Sequence, residues 1–173
     1  MATATRITIE QYLKTPFEPD AEYVNGEVEE RNVGEYEHSV VQWAILDWLR
    51  RHDKTWHTRT IQEQRTRLRS GNIRVPDVSV WKRDVPIERV FSHPQLIAIE
   101  VLSPEDRQSR IQGKIEDYRH SGIPNIWIID PVKRVGWDCS DGNWTRKSRF
   151  ELSGTPIYLD LEELFKELDA AEA

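Results

Sequence analysis

Two acidic residues stand at positions where a folded chain rarely tolerates a charge. Glu100 interrupts the apolar run of residues 96–102 (LIAIEVL), and Asp77 follows Pro76 at the end of another extended segment. A carboxylate inside a buried strand is costly unless a cation or a metal ion pairs with it. Two carboxylates on neighbouring strands can share a hard cation such as Mg²⁺, which takes oxygen ligands and keeps several waters. The alternatives are that Asp77 caps a turn and that Glu100 forms a buried ion pair with an arginine.

A second group of candidate functional residues is basic. Arg65, Arg67 and Arg69 alternate with Thr66 and Leu68, so a strand would place the three guanidinium groups on one face. Such a face can contact the phosphates of a nucleic acid, which adds affinity without reading sequence. The alternative is a basic strand face that is simply solvated.

The negative net charge by itself argues against a nucleic-acid partner. The distribution of the charges along the chain weakens that argument. The 173 residues carry 24 Lys and Arg against 30 Asp and Glu, a net charge of −6. Residues 10–37 contain nine acidic and two basic residues, and residues 151–173 contain seven acidic residues and one basic residue. Residues 50–74, which include Arg74, contain eight basic and two acidic residues. Because the local potential decides which ligand approaches, the acidic total does not exclude nucleic acid.

The composition excludes several other classes of protein. One cysteine, Cys139, cannot form an internal disulfide or a cysteine-based zinc site. No apolar run is long enough to span a membrane, and the N-terminal segment has no apolar centre of a secretory signal. The length suits one compact domain. We therefore expect a cytoplasmic, single-domain protein without a membrane partner.

The first half of the chain predicts the elements on one side of these residues. Residues 8–14 predict a short capped helix, and Asn25-Gly26 predicts a two-residue β-hairpin turn. Residues 35–51 predict a longer helix with an apolar stripe at helical spacing, and His38 continues that stripe.

The second half predicts a parallel crossover. Residues 96–102 are typical of a central strand that is covered on both faces. Pro104 predicts the start of a helix that runs to about His120, with Ser103 as its N-cap. Residues 126–129 predict a second buried strand, parallel to the first. Together with the hairpins, this unit predicts an α/β fold in which a mixed β-sheet is flanked by α-helices.

The segments that carry the candidate chemistry resemble a known family. The sequences VPD at 75–77 and IEVLSP at 99–104 are similar to the PD-(D/E)XK nuclease superfamily, and more closely to the Uma-type restriction endonuclease domain. The resemblance extends, in order, to EYVNGE at 22–27, KIEDY at 114–118 and GIPNIWIIDP at 122–131. It implies a restriction-endonuclease-like fold in a single domain over residues 1–173, with a core of about 8–168.

The resemblance also implies roles for individual residues. Asp77 and Glu100 would be metal ligands, joined by the backbone carbonyl of Val101. The superfamily usually has its lysine two residues after the acid, where this chain has Leu102. Lys114, on the following helix, would take the place of that lysine.

Further roles follow from the same resemblance. Glu22 matches an early acidic residue of the family and would be a catalytic group that holds a second metal ion or its waters; a solvated strand glutamate is the alternative. His38 would contact a phosphate or orient Glu22, and a satisfied core histidine is the alternative. Contacts to backbone phosphates would come from four arginines: Arg65, Arg67, Arg69 and Arg74.

The activity implied by the resemblance is hydrolysis of phosphodiester bonds, most often in DNA. Mg²⁺ would be the cofactor, with Mn²⁺ as a substitute, and Lys114 would orient the water or stabilise the transition state. A homodimer is expected, because one site needs two copies to cut both strands. Two alternatives stay open. One is a nuclease-fold module that binds nucleic acid without cutting it, and the other is a protein-interaction module whose acidic segments meet a basic partner.

Overall fold

The elements of the fold are seen in a computed structural model that describes residues 6–32 and 34–173. The helices are α1 (Ile9–Lys14), α2 (Tyr36–Arg50), α3 (Asp53–Trp56), α4 (Gln108–His120) and α5 (Leu161–Glu172). The strands are β1 (Ala21–Val24), β2 (Glu27–Glu30), β3 (Thr58–Gln62), β4 (Thr66–Arg67), β5 (Ile73–Arg74), β6 (Val78–Lys82), β7 (Ile97–Val101), β8 (Asn125–Asp130), β9 (Val135–Asp138), β10 (Thr145–Lys147), β11 (Arg149–Glu151) and β12 (Tyr158–Asp160). The first five residues, part of the segment in which we expect no secretory signal, lie outside the described residues.

A six-stranded mixed sheet forms the centre of the molecule, in the order β10-β9-β8-β7-β6-β3. Strands β7 and β8 are parallel and are connected through α4, whereas the other pairs in this sheet are antiparallel. A smaller antiparallel sheet has the order β2-β1-β5-β4, and β11 pairs with β12. The predicted α/β class, a mixed sheet flanked by helices in a single domain, is confirmed.

The large sheet separates two apolar cores, and β7 contributes to both. Ile97, Ile99 and Val101 pack with the apolar faces of α2 and α5. Ala98 faces the other way and packs with residues of α4. Because side chains alternate along a strand, Glu100 shares the α4 face with Ala98. The fold therefore directs the one carboxylate of this strand towards α4.

Local signals of the N-terminal part are confirmed. Thr8 caps α1 by accepting a hydrogen bond from the Gln11 N–H, and the Gln11 side chain accepts one from the Thr8 N–H. Asn25 and Gly26 adopt φ values of 53° and 86°, as a hairpin turn of this type requires. Within the described residues, no helix has both the length and the apolar composition needed to cross a bilayer.

Helix α4 begins later than the predicted start at Pro104. The Asp106 carboxylate accepts a hydrogen bond from the Ser103 N–H at 2.7 Å, and the Asp106 N–H donates to the Ser103 carbonyl at 2.9 Å. Asn32 Nδ2 donates to the same carboxylate at 2.8 Å. These bonds close a turn that competes with the helix, so the first helical residue is Gln108. The predicted N-cap role of Ser103 is therefore wrong.

Candidate active site

Asp77 lies where the chain passes from the small sheet to the large one. Strands β5 and β6 are separated by residues 75–77, and Pro76 has no N–H to donate to either ladder. The main-chain carbonyl of Asp77 accepts hydrogen bonds from Gln42 Nε2 at 3.0 Å and from the Glu63 N–H at 3.2 Å. These bonds fix the backbone of Asp77 and so direct its carboxylate.

The register of β6 and β7 places Glu100 opposite Asp77. The antiparallel pairing matches Val78 with Ile99, and one step further along the register lie Asp77 and Glu100. Residues directly opposite each other in an antiparallel pair project from the same face of the sheet. Asp77 Oδ2 also accepts a hydrogen bond from the Val101 N–H at 2.8 Å, which ties the start of β6 to the end of β7.

Helix α4 brings a cation and a hydroxyl to Glu100. Lys114 and Tyr118 lie one turn apart on the buried face of the helix. Lys114 Nζ lies 2.8 Å from Glu100 Oε2 and 3.5 Å from Glu22 Oε1. The Tyr118 hydroxyl donates to Glu100 Oε1. Both carboxylate oxygens of Glu100 therefore have a donor from α4.

Glu22, on β1, is fully buried and held from two directions. Its Oε1 accepts the Val75 N–H at 2.8 Å, and its Oε2 lies 2.8 Å from Arg74 Nη1. The alternative of a solvated strand glutamate is therefore wrong. Arg74 departs from its expected role too, because it is 4% exposed and its Nε also donates to Asp117 at 2.7 Å. A guanidinium enclosed by carboxylates positions Glu22 and is not open to a phosphate.

Asp77 and Glu100 have opposite pKa shifts. Burial and the neighbouring Asp77 carboxylate raise the pKa of Glu100 to about 7, against the attraction of Lys114. Burial also opposes the charge on Asp77, but the hydrogen bond from His38 and the charges of Lys114 and Arg31 lower its pKa. Burial opposes the charge of Lys114 as well, yet the facing carboxylates raise its pKa above the ordinary value. The Lys114 ammonium therefore stays charged and cannot serve as a general base in this state.

Both carboxylates line a cavity of about 30 Å³, which has room for one or two water molecules. Its lining residues are Arg31, Asn32, His38, Asp77, Glu100, Val101, Ser103, Asp106, Arg110 and Lys114. Across residues 6–32 and 34–173, no three or more His, Cys, Asp or Glu side chains are grouped to hold a metal ion. Two carboxylates beside a water-sized space fit a small hard cation that completes its shell with water, carbonyl and phosphate oxygens. The same set does not fit zinc, which takes at least three protein ligands.

Two further side chains contact the Asp77 carboxylate. Arg31 Nη2 lies 3.1 Å from Asp77 Oδ1, and His38 Nε2 lies 3.3 Å from Asp77 Oδ2. His38 thus contacts Asp77 and not Glu22, and its Nδ1 has no partner among the described residues. Sequence reasoning missed both Arg31 and Gln42. For Arg31 a signal was present, because it is one of only two basic residues in the acidic segment 10–37.

The three arginines of the alternating pattern do not line the cavity. Strand β4 spans only Thr66–Arg67, but the predicted alternation persists, because the side chains between the arginines are buried. Arg67 and Arg69 are exposed, whereas Arg65 Nη2 lies 2.9 Å from Asp20 Oδ1. The chain therefore presents part of a basic face, separate from the two carboxylates.

A mixed sheet that carries acidic residues on adjacent strands, with a lysine over them, is the arrangement expected of a restriction-endonuclease-like nuclease. The chain belongs to the Uma2 family, whose model bears the description "Putative restriction endonuclease" and matches residues 9–166. The resemblance stated from the sequence is thereby confirmed, and the family supports a nuclease, a hydrolase that acts on phosphodiester bonds. A search among curated proteins found no match.

The fold is shared with a solved structure. A crystal structure of "a putative nuclease belonging to DUF820" from Anabaena variabilis ATCC 29413 matches with a TM-score of 0.79 and 24% identity, over 94% of this chain and 99% of that chain. The cryo-EM structure of a DrdV–DNA complex matches 76% of this chain and 11% of that chain, with a TM-score of 0.46 and 18% identity. The first match establishes the common fold, and the second is too distant to argue from.

Proposed function

We propose that this protein is a divalent-metal-dependent nuclease that hydrolyses phosphodiester bonds in DNA. Mg²⁺ is the proposed cofactor, with Mn²⁺ as a substitute. One observation carries the proposal: Asp77 and Glu100 line the same water-sized cavity, and the Lys114 ammonium lies 2.8 Å from Glu100.

In this proposal the metal ion is held by Asp77, Glu100 and the main-chain carbonyl of Val101. When bound, such an ion supplies an activated water and offsets the charge of the phosphate. Metal ligands must be deprotonated, so metal binding and ionisation of Glu100 are coupled. The nearly neutral pKa of Glu100 makes this coupling relevant close to pH 7.

Three neighbouring residues would position the reacting groups and balance their charge. The Lys114 ammonium orients the attacking water or offsets the negative charge that develops on the phosphate in the transition state. The Tyr118 hydroxyl holds Glu100, and Glu22 holds Lys114 from the opposite side at 3.5 Å. Because Glu22 is fully buried and does not line the cavity, we assign it a positioning role instead of a second metal site.

DNA is the proposed substrate, and the exposed arginines support it. Arg67 and Arg69, with Arg65 beside them, would contact backbone phosphates at a distance from the reacting group. Contacts of this kind predict binding that weakens steeply with salt.

The test is metal-dependent cleavage of plasmid and single-stranded DNA. Asp77→Asn and Glu100→Gln are each expected to reduce the rate at least about a hundredfold, because each removes a charged metal ligand. Glu116→Gln is the matched control, since Glu116 is exposed on α4 and its substitution removes one carboxylate away from the cavity. Unchanged cleavage in either cavity variant would contradict the assignment.

A second candidate function has an observation in its favour. Asp77 and Glu100 already have cationic partners in Arg31 and Lys114, and the usual lysine position holds Leu102. A nuclease-fold module that binds nucleic acid without cutting it would show this arrangement as well. It predicts salt-sensitive retention of DNA and no cleavage across a series of Mg²⁺ and Mn²⁺ concentrations.

We also propose that the protein acts as a homodimer in the cytoplasm. Cutting both strands with one site per chain favours two copies, and sedimentation velocity with and without DNA tests this. The single cysteine, Cys139, is buried, and burial raises its pKa to about 12, so its thiol is protonated and unreactive. A reducing compartment is compatible with this cysteine, but the cysteine does not require one.

A further inference from the structure

The guanidinium of Arg31 spans the boundary between the cavity and the outside. Its Nη2 points inward and lies 3.1 Å from Asp77 Oδ1. Its Nη1 points outward and lies 3.6 Å from both Asp20 Oδ2 and Glu63 Oε1. Asp20 and Glu63 are 40% and 48% exposed, whereas the Asp77 side chain is 7% exposed. Arg31 therefore has two kinds of anchor, one in the site and one at its mouth.

The inner anchor is also the place where a divalent cation must bind. A cation that takes Asp77 cannot coexist at short range with the guanidinium on the same carboxylate, because like charges repel strongly in a partly buried site. One of the two cations that pair with these carboxylates, Arg31 or Lys114, would have to move away. Lys114 is held between Glu22 and Glu100, which are both buried, and has no outer partner among its described ion pairs.

Arg31 can leave Asp77 and keep its outer partners. Burial opposes the charge of Arg31, but the surrounding carboxylates raise its pKa above the ordinary value, so it leaves as a cation. Paired with Asp20 and Glu63 through Nη1, the Arg31 guanidinium stays at the mouth of the cavity, and its Nη2 is left without a partner. A planar guanidinium in that state is suited to a phosphate, which it can bind through two hydrogen bonds.

We propose that Arg31 is a substrate-phosphate contact of this site, resting on Asp77 in the metal-free protein and transferred to the DNA phosphate when a divalent cation takes Asp77. The inference rests on the proposed nuclease function and names a residue for its substrate. It explains why Arg31 pairs both with a proposed metal ligand and with carboxylates at the mouth of the cavity. It also makes metal and DNA binding cooperative, since each removes an obstacle to the other.

The test measures two affinities that are expected to change in opposite directions in Arg31→Ala. Mn²⁺ and Ca²⁺ affinity, from titrations of the melting temperature without DNA, is expected to rise on the order of tenfold, because the competing charge is gone. Affinity for a short fluorescent DNA duplex in Ca²⁺ is expected to fall on the order of tenfold, because a charged phosphate contact is lost. A residue that only supports the shape of the site would weaken both.

Arg65→Ala is the matched control for the metal titration. Arg65 shares the Asp20 carboxylate with Arg31, at 2.9 Å, but its ion pairing does not extend to Asp77. Its removal is expected to leave Mn²⁺ affinity within about twofold of the wild type. Arg31→Lys is the second variant if Arg31→Ala does not fold. It keeps the charge but loses the fork, so it should bind metal like the wild type and bind DNA more weakly.

The outcomes separate this inference from the proposed function. If the wild-type protein binds no divalent cation and cuts no DNA, both the proposed function and the role of Arg31 are overturned. A wild type that binds metal and cuts DNA, with metal affinity in Arg31→Ala unchanged or lowered, overturns the role of Arg31 alone. Raised metal affinity with unchanged DNA affinity also overturns it, because the phosphate contact would then be absent.

Discussion

Two groups of side chains, one on each side of the Asp77–Glu100 pair, differ in how their carboxylates are paired. We define the enclosed side as Glu22, Arg74, Glu100, Lys114 and Tyr118, and the open side as Asp77, Arg31 and His38. On the enclosed side the partners of Glu22 and Glu100 are themselves buried, so these two carboxylates are paired in place. On the open side Arg31 is shared with half-exposed carboxylates at the mouth.

The difference shows how the surroundings give two buried carboxylates, Glu100 and Asp77, opposite pKa shifts. Glu100 is surrounded by burial and like charges, so its pKa rises to about 7, while donors around Asp77 lower its pKa. A group whose partners are enclosed keeps its place, and a group whose partners can move outward can exchange them. We therefore expect the enclosed side to dominate stability and the open side to dominate ligand exchange.

The largest expected effect is on the unfolding free energy, and it distinguishes Arg74 from Arg31. Arg74→Met should cost about 3–5 kcal/mol of unfolding free energy, because it leaves the buried Glu22 without its closest cation. Arg31→Met should cost less than about 2 kcal/mol, because Asp77 keeps the Val101 N–H, His38 and access to the cavity. Urea unfolding measures both.

Arg134→Met provides the baseline for that pair. Arg134 pairs with Asp169 on the surface, where an ion pair contributes at most about 1 kcal/mol. Equal losses for Arg74→Met and Arg31→Met would remove the distinction between the enclosed and open sides.

The next effect is the pH dependence of stability. Burial raises the folded pKa of Glu100 from 4.5 to about 7, so in that window the folded chain binds more protons than the unfolded chain. Stability is therefore expected to fall as pH rises from 4.5 to 7, by as much as about 3 kcal/mol from this group. Glu100→Gln should remove this contribution to the fall, which urea unfolding at pH 5 and pH 7.5 can measure, while the raised pKa of His38 leaves a smaller fall of the same sign.

Asp77 should act in the opposite sense. Its folded pKa is lowered from 3.8, so its contribution is complete above that value and is lost as pH falls through the folded pKa. Asp77→Asn should therefore flatten the acid side of the profile below about pH 4. It should also reduce the fall caused by Glu100, since it removes a repelling neighbour. A steeper fall in Asp77→Asn would contradict the assumed coupling.

The smallest effect concerns the hydroxyl on Glu100. Tyr118→Phe should lower the unfolding free energy by about 1 kcal/mol. It should also raise the pKa of Glu100 and so move the pH window of its stability change upward, because the hydroxyl that stabilises the charged carboxylate is gone. Tyr23→Phe is the control, since its hydroxyl donates to the Ile7 carbonyl at 3.1 Å, away from the carboxylates. It should cost a similar amount without moving the window. An unmoved window in Tyr118→Phe would show that the hydroxyl does not tune Glu100.

The pattern of the chain predicted the parts of the site that depend on local periodicity. Glu100 is visible because it interrupts an apolar run whose spacing marks a buried strand, whereas Lys114 was singled out by the family resemblance. Arg31 and Gln42 were not predicted, because their contacts with Asp77 depend on how distant elements dock. Arg74 was expected to contact backbone phosphates, whereas in the structure it pairs with Glu22 and Asp117, which come from distant parts of the chain.

The start of α4 shows the same limit on a smaller scale. A proline after serine is a common helix-start signal. Here the Asp106 side chain accepts the Ser103 N–H, and Asn32 from another part of the chain stabilises the turn. A side chain that satisfies the backbone locally can outcompete a helix, and the deciding contact was not local.

The joint at residues 75–77 links the two sheets and has a consequence for local unfolding. The β1–β2 hairpin is attached to this joint through the bonds of Glu22 to the Val75 N–H and to Arg74. Weakening those bonds would release the hairpin as one cooperative unit, while the six-stranded sheet keeps its protection from hydrogen exchange. The amides of the hairpin should then exchange together and ahead of those in β7, and Glu22 would move away from Lys114 without global unfolding.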